Sequence, residues 1–484
     1  MGRGLTDLTA REVGPRPGDE RPRRSGRRAW LVLAIAGVAW SLWSAGVGRD
    51  ELVNPGGWTL LSRFWRAALH PELSAEFLRV TWKASLTTIA FAVLGTALSV
   101  AIGLVGGVLV SETWWRRGRP PRGGGQAGVR LGWYAGRGLS GLPRGIHEAV
   151  WGLFLVNILG RDPMVGILAI AIPFGAITAK VYAELIDESA QGGHDALRSA
   201  GVGRVSALAY AVFPRTLPDL VSYAFYRLEC SIRSAVILGM IGAGGLGLEL
   251  NLTFQSLRYR EMWTLIYALV AISALSDQWG AGLRRRASVR RVRVSLVAGA
   301  GLVVASFLQL RPDLGRLFTR QTRMLLADIA GASWPPASPA DGWTGLFQRS
   351  LGTIEMSLLA IAIGGTLAVI AGFVAARGGE TAGRRAVAGV ARLRALGASP
   401  ASVFAYATLP LCVARFAAYS LYRREVAVRE TVVVGVVGAG GLGRLLEQQR
   451  AAFNYRGMLA TVIALVAVSV VVELVSAAAR RSLR

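Results

Sequence analysis

The residues best suited to do chemistry come in one fixed order, twice. Tyr226-Arg227-x-Glu229-x3-Arg233 is followed by Gly-Ala-Gly-Gly-Leu-Gly at 242–247, and Tyr422-Arg423-x-Glu425-x3-Arg429 is followed by the same run at 438–443. The offset is 196 residues throughout, and between 197–262 and 393–458 25 of 66 positions are identical. Both charged segments sit in apolar stretches, where an ionisable side chain is costly and marks a functional site by default. Glu229 and Arg233 stand one helical turn apart and can neutralise each other, as can Glu425 and Arg429. Arg227 and Arg423 are left without a local partner, and a guanidinium fork suits an oxyanion. Arg227, Glu229, Arg233, Arg423, Glu425 and Arg429 are therefore candidates for lining a translocation path. The competing reading has the arginines snorkelling to the membrane interface or joining a structural network between helices.

Such charges need membrane spans to carry them, and the composition supplies these. The chain has 484 residues, 52% hydrophobic and 17% charged, with a formal net charge of +26. A soluble protein rarely combines so apolar a chain with so one-sided a charge. Apolar spans with arginine-rich loops on the cytoplasmic side resolve the conflict. A nucleic-acid partner is excluded, because the arginines collect in short blocks between apolar stretches and not along one polar face. Cys230 and Cys412 read as small buried hydrophobes. His70, His147 and His194 are too scattered for a metal site, and His194 is expected to be a solvated loop residue.

Catalysis finds no support. There is no G-x4-G-K-[ST] run, only two lysines (Lys83 and Lys180), and neither a nucleophile–base pair nor an acidic dyad. The chain is expected to hydrolyse no ATP and to need no cofactor. GAGGLG also fits the dinucleotide fingerprint, but that requires a soluble βαβ unit, whereas here the run follows a span. Gly242, Gly244, Gly245 and Gly247, with Gly438, Gly440, Gly441 and Gly443, read instead as a bent, close-packed passage before the last span. They are candidates for an outer gate shared by the two copies.

The expected fold is an all-α integral membrane protein with about ten transmembrane helices in two parallel halves. Residues 1–28, with eight arginines, form a basic cytoplasmic tail; 29–280 form the first unit, 281–293 a basic cytoplasmic linker, and 294–484 the second unit. Spans are expected at 29–47, 84–110, 148–160, 164–186, 216–241, 262–278, 294–310, 350–376 and 458–478, with the second charged segment making another. With both termini inside, every strongly basic block falls on the cytoplasmic side. Thr81-x3-Ser85-Leu86 matches Thr353-x3-Ser357-Leu358 at an offset of 272, against 196 later, so the second half is expected to lack about 76 residues and two helices.

One cytoplasmic loop gives the pattern a family. It reads Asp195-Ala196-Leu197-x3-Gly201-x9-Ala211-x-Phe213-Pro214 in the first copy and Ala391-Arg392-Leu393-x3-Gly397-x9-Ala407-x-Leu409-Pro410 in the second. This resembles the Glu-Ala-Ala-x3-Gly-x9-Ile-x-Leu-Pro loop of ABC importer permeases. The charged segment followed by GAGGLG is similar to the phosphonate-type members. The resemblance implies a type I permease fold, coupling through Asp195, Ala196, Gly201, Pro214, Gly397 and Pro410 to two ABC ATPase subunits, and an extracytoplasmic binding protein. It implies a phosphonate cargo first, with phosphite or phosphate close behind. Glycine lets the turn approach a partner, and the proline is expected to stop the loop's second helix. Ala391 replaces the acid, so unequal coupling at the two loops is expected. Two other classes stay open: a secondary transporter, against which the lack of paired acids in the spans counts, and a degenerate membrane scaffold without transport.

Overall fold

A computed structural model describes residues 24–46, 55–115, 289–375 and 409–483 without a break, and most of 136–285 and 396–406. The tail at 1–23, most of the basic loop at 116–144, and 376–395 with Ala391 lie outside the described residues.

The described residues are helical. The main elements are α1 (Arg24–Ser44), α2 (Pro55–Leu69), α3 (Ala75–Val110), α4 (Glu148–Leu159), α5 (Pro163–Ser189), α6 (Gly193–Ser199), α7 (Phe213–Leu238) and α8 (Leu246–Gln255). They continue with α9 (Tyr259–Arg285), α10 (Val289–Leu310), α11 (Arg320–Ser333), α12 (Gly342–Ala375), α13 (Leu409–Val434), α14 (Gly441–Ala451) and α15 (Tyr455–Leu483). Among the described residues five helices are long and apolar enough to cross a membrane, or seven if each of two bent pairs is one span. Of the ten expected spans, those at α1, α4 and α9 fall outside that set; α4 has 12 residues, about 18 Å at 1.5 Å per residue, too short for a ~30 Å core. Helix α3 starts nine residues before the expected 84, and α8 lies between the spans expected at 216–241 and 262–278.

Contacts gather the chain into two units, Glu51–Thr353 with Arg429–Ser469, and Met1–Asp50 with Ile354–Val428 and Val470–Arg484. In the larger unit α5 lies along α3, while α7 and α10 pack elsewhere on α3 and α4 packs on α5. Lipid tails are as apolar as leucine, so helices in a bilayer associate through close packing and not through burial from water. The α3–α5 seam follows that rule. A Cβ added at Gly95 would lie 2.8 Å from Ile170, and one at Gly107 would lie 2.7 Å from the Cβ of Tyr182. Phe91, Met164, Ile170, Phe174, Ile232 and Leu238 fill the core around it. In the smaller unit Ser44 Oγ donates to Glu355 Oε1 at 3.0 Å, and Gly37 of α1 faces Leu358 of α12.

Two backbone contacts recur and correct the register of the repeat. Leu246 N–H donates to Thr88 Oγ1 at 2.8 Å, and Leu442 N–H donates to Thr353 Oγ1 at 3.0 Å. Glu72 N–H donates to Arg260 O, and Ala337 N–H donates to Arg456 O. The later partners are 196 residues apart, but Thr88 and Thr353, like Glu72 and Ala337, are 265 apart. Thr353 therefore corresponds to Thr88 and not to Thr81, and the second copy is shorter by 69 residues, not 76. The two registers differ by seven residues, about two helical turns, which leaves the same helix face in place and makes them hard to separate by pattern.

Candidate functional site

The first repeated feature is a turn ahead of each charged helix. Asp195 lies in the first turn of α6, exposed, with Oδ1 3.2 Å from His194 Nδ1. His194 is buried, not solvated as expected, because it takes the inward side of this seven-residue helix while Asp195 and Ala196 take the outward side. Gly201 ends the helix at φ +87°, and Gly397 stands at φ +75° in the turn at 396–397. A side chain at such a φ is strained. From Arg204 the chain runs through one helical turn and a π turn (Leu208–Val212) straight into α7. Pro214 therefore opens the long helix and does not stop a short one. In a first turn its missing N–H would have had no helical partner in any case. Pro410 holds the same second position in α13.

Sequence reasoning passed over two residues in these turns. Tyr210 and Tyr406 correspond at the 196-residue offset, and each is 79% exposed. They were visible among the repeat's identities, but the family's loop pattern does not include that position.

The second feature is the bend that follows each charged helix. Helix α7 ends in a π turn (Gly239–Ala243), and Gly242, Gly244 and Gly245 all take positive φ. Helix α13 ends likewise, with Gly438, Gly440 and Gly441 at positive φ. The axes turn by 58° and 59° into α8 and α14. A side chain on Gly247 or Gly443 would meet the backbone of Val236 or Val432, so the chain folds tightly on itself at both places. The glycines make the bent, close-packed passage that their spacing suggests.

The charges fare unequally. Arg233 Nη2 lies 3.7 Å from Glu229 Oε1, as the one-turn spacing predicts. Arg227 is 6% exposed and does not snorkel; its guanidinium carbon sits 4.0 Å from the Phe174 ring centre of α5 and 5.8 Å from that of Tyr223. Such stacking holds a cation over the negative faces of aromatic rings. Its Nε and Nη2 are buried with no hydrogen-bond partner. Arg423 is exposed, and Glu425 and Arg429 are half-buried. Arg429 Nη1 donates to Arg144 O at 3.2 Å.

A second polar group, absent from the sequence reading, joins these helices. His147 caps α4, its Nδ1 accepting from Ala149 N–H at 3.1 Å, which leaves Nε2 to carry the proton. That Nε2 lies 3.5 Å from Glu430 Oε2 of α13. The neighbouring Glu148, buried, accepts a hydrogen bond from Ser234 Oγ of α7. Ser234 and Glu430 are the same position of the repeat, each following the motif's last arginine. The adjacent residues His147 and Glu148 thus meet both charged helices. Ser and Glu differ at that position, so no identity drew attention to it.

Several membrane-length helices and two glycine-bent pairs among the described residues make this a multi-pass membrane protein. Residues 134–289 match the family of binding-protein-dependent transport system inner membrane components. Together with the curated relatives below, this stretch is similar to the permeases of phosphonate-type ABC transporters. HtxE of Stutzerimonas stutzeri, a permease named for phosphite transport, is 33% identical over 172 residues, which cover 36% of this chain and 65% of HtxE. The phosphate-import permease protein PhnE of Mycolicibacterium smegmatis is 26% identical over 407 residues, covering 69% of this chain and 75% of PhnE. The phosphite transport system permease protein PtxC of S. stutzeri is 28% identical over 255 residues, covering 53% and 87%. The chain thus spans just under two thirds of HtxE and more of the other two. No solved structure matches it.

Proposed function

We propose that the chain is the transmembrane subunit of an ABC importer that carries phosphonate, phosphite or phosphate into the cytoplasm. Two separate ATPase subunits drive it from the turns around Gly201 and Gly397, and an extracytoplasmic binding protein delivers the cargo. Both termini are cytoplasmic, and two parallel permease units are fused in one chain of the plasma membrane. ATP-driven closure of the ATPases pushes on the two turns, and α7 and α13 carry that motion to the glycine bends, which act as the outer gate.

The observation that carries this reading is the turn itself. It is built twice with a glycine at positive φ, an exposed tyrosine nine residues on, and a long helix with proline at its second position, entered without a break in the first copy. A push on the turn reaches the charged segment through a single rigid helix. The relatives' names for phosphite and phosphate transport support the cargo class, and a buried guanidinium with free donors at Arg227 suits an oxyanion. The 69-residue shortening favours a second reading, a membrane scaffold that no longer transports.

Proteoliposomes holding the chain, its ATPase and its binding protein separate the two. ATP-dependent accumulation of labelled phosphite, phosphate or methylphosphonate is expected. ATP hydrolysis that ignores binding protein and all three anions would leave the scaffold reading.

A further inference from the structure

The group around His147 lies at the start of α4. Helix α4 runs from His147 to the polar turn at Gly160 and Asp162, where Asp162 pairs with Arg316 at 3.0 Å. His147 and Glu148, at the opposite end of the 12-residue helix, are both buried within the protein. Buried charges persist only in opposed sets or along a path.

The two carboxylates of the group are held differently. Glu148 is buried, and Ser234 donates to it at short range, so it is fixed. The Glu430 side chain is 55% exposed, faces His147 Nε2, and lies in the field of Arg429 and Arg233. Releasing Glu430 from His147 would strand no buried charge, whereas releasing Glu148 would. The first copy, moreover, has the neutral Ser234 where the second has Glu430. The Glu430 carboxylate faces His147 Nε2–H at the start of α4, and the charges of Arg233 on α7, which pairs with Glu229, and of Arg429 on α13 act on it. The next cation along α7, Arg227, lies six residues or about 9 Å away, with two donor nitrogens unpaired.

We infer that the Glu430 carboxylate is a built-in stand-in for the cargo anion: it holds the site formed by His147, Arg233 and Arg429 until an incoming phosphorus oxyanion takes its place. This rests on the cargo class proposed above. A tetrahedral oxyanion presents the same acceptors as the carboxylate and one more, so it accepts from the imidazole N–H while engaging both guanidinium groups. The displaced Glu430 turns to its open side. In the resting state the carboxylate keeps the two arginines from drawing in other anions, and its negative charge closes the path to cargo that has not been delivered at high local concentration.

The test measures equilibrium binding of labelled inorganic phosphate and methylphosphonate to the purified permease–ATPase complex. Glu430→Gln and Glu430→Ser, the latter restoring the side chain of the first copy, are expected to bind about tenfold tighter than the wild type, the scale of one competing charged contact. Arg429→Gln is expected to bind at least tenfold more weakly. Glu148→Gln, which leaves Glu430 on His147, is expected to change binding by less than about threefold. Unchanged or weaker binding in both Glu430 variants overturns the proposal, as does equal tightening in Glu148→Gln or failure of both Glu430 variants to assemble. Wild-type proteoliposomes that import none of the phosphorus oxyanions would sink the cargo class, and this inference with it. Wild-type import with unchanged binding in Glu430→Ser would sink this inference alone.

Discussion

Helices α7 and α13 carry the same motif, have proline at the second position and end in the same glycine bend, yet their first arginines meet different surroundings. Arg227 is enclosed by Phe174 of α5 and by Tyr223 one turn back. Arg423 is exposed. The difference lies in the neighbour and not in the motif. Phe174 is supplied by α5, and among the described residues no ring is stacked on Arg423. A repeated motif therefore does not imply a repeated site. What repeats is the mechanical frame of turn, rigid helix and glycine bend, whereas the chemistry depends on what packs against it.

The turns offer the harshest way to break this comparison. Gly201→Val and Gly397→Val each force a β-branched residue into left-handed backbone, at about 1–2 kcal/mol or more of local strain. Such strain reshapes the turn that meets the ATPase. Loss of ATP-driven uptake by about a hundredfold is expected for Gly201→Val, with a smaller loss for Gly397→Val, whose loop has Ala391 in place of an acid. Equal losses would mean that the second loop couples fully. The measurement is uptake rate beside basal ATP hydrolysis, so that a folding defect is recognised by loss of both.

The charged helices give the next contrast. Arg227→Gln is expected to cut uptake about tenfold while ATP hydrolysis survives, because it removes a charge-assisted donor from the path but leaves the helix and turn intact. Arg423→Gln should stay within about twofold of the wild type, as for an exposed side chain with no ring to stack on. Similar losses from both would place the two arginines in equivalent roles and contradict the asymmetry drawn from Phe174.

Much of the frame was legible in the sequence because local chemistry dictates it. A run of glycines inside an apolar stretch has few uses other than a bend or a close approach, and both bends are present. The spacing of Glu229 and Arg233 fixes one helical turn and hence the pair. What the sequence withheld depends on distant partners. Nothing near Arg227 announces Phe174, which lies 53 positions earlier, and nothing near His147 announces Glu430. Pro214 was read as a stop because proline breaks a helix interior, but the rule reverses in a first turn, and only the path of the chain before it decides which applies. That α4 is too short to span shows only in the structure, because an apolar run does not reveal whether it spans or stops halfway.

The gentlest test asks whether the frame repeats as closely as its hydrogen bonds suggest. Thr88 Oγ1 accepts from Leu246 N–H and donates to Ala84 O; Thr353 Oγ1 accepts from Leu442 N–H and donates to Arg349 O. Each hydroxyl thus ties the helix after a glycine bend to the long helix of its own copy. Leu246 and Leu442 lie at the starts of α8 and α14, where backbone N–H groups have no helical acceptor. Valine keeps the shape of threonine but cannot accept, so each Thr→Val leaves one buried donor unsatisfied at a cost of about 1–3 kcal/mol. Thr88→Val and Thr353→Val are expected to lower the unfolding free energy of the purified protein by amounts equal to within about 0.5 kcal/mol, the usual spread for distant, independent sites. Uptake should change less than in Gly201→Val, because the bend's glycines remain. If only Thr88→Val destabilises, the second bend is not held by its own long helix, and the correspondence at 265 residues fails as a description of the frame. Equal losses would locate the asymmetry of the two copies in α5 and the Glu430 position, with the hinge common to both.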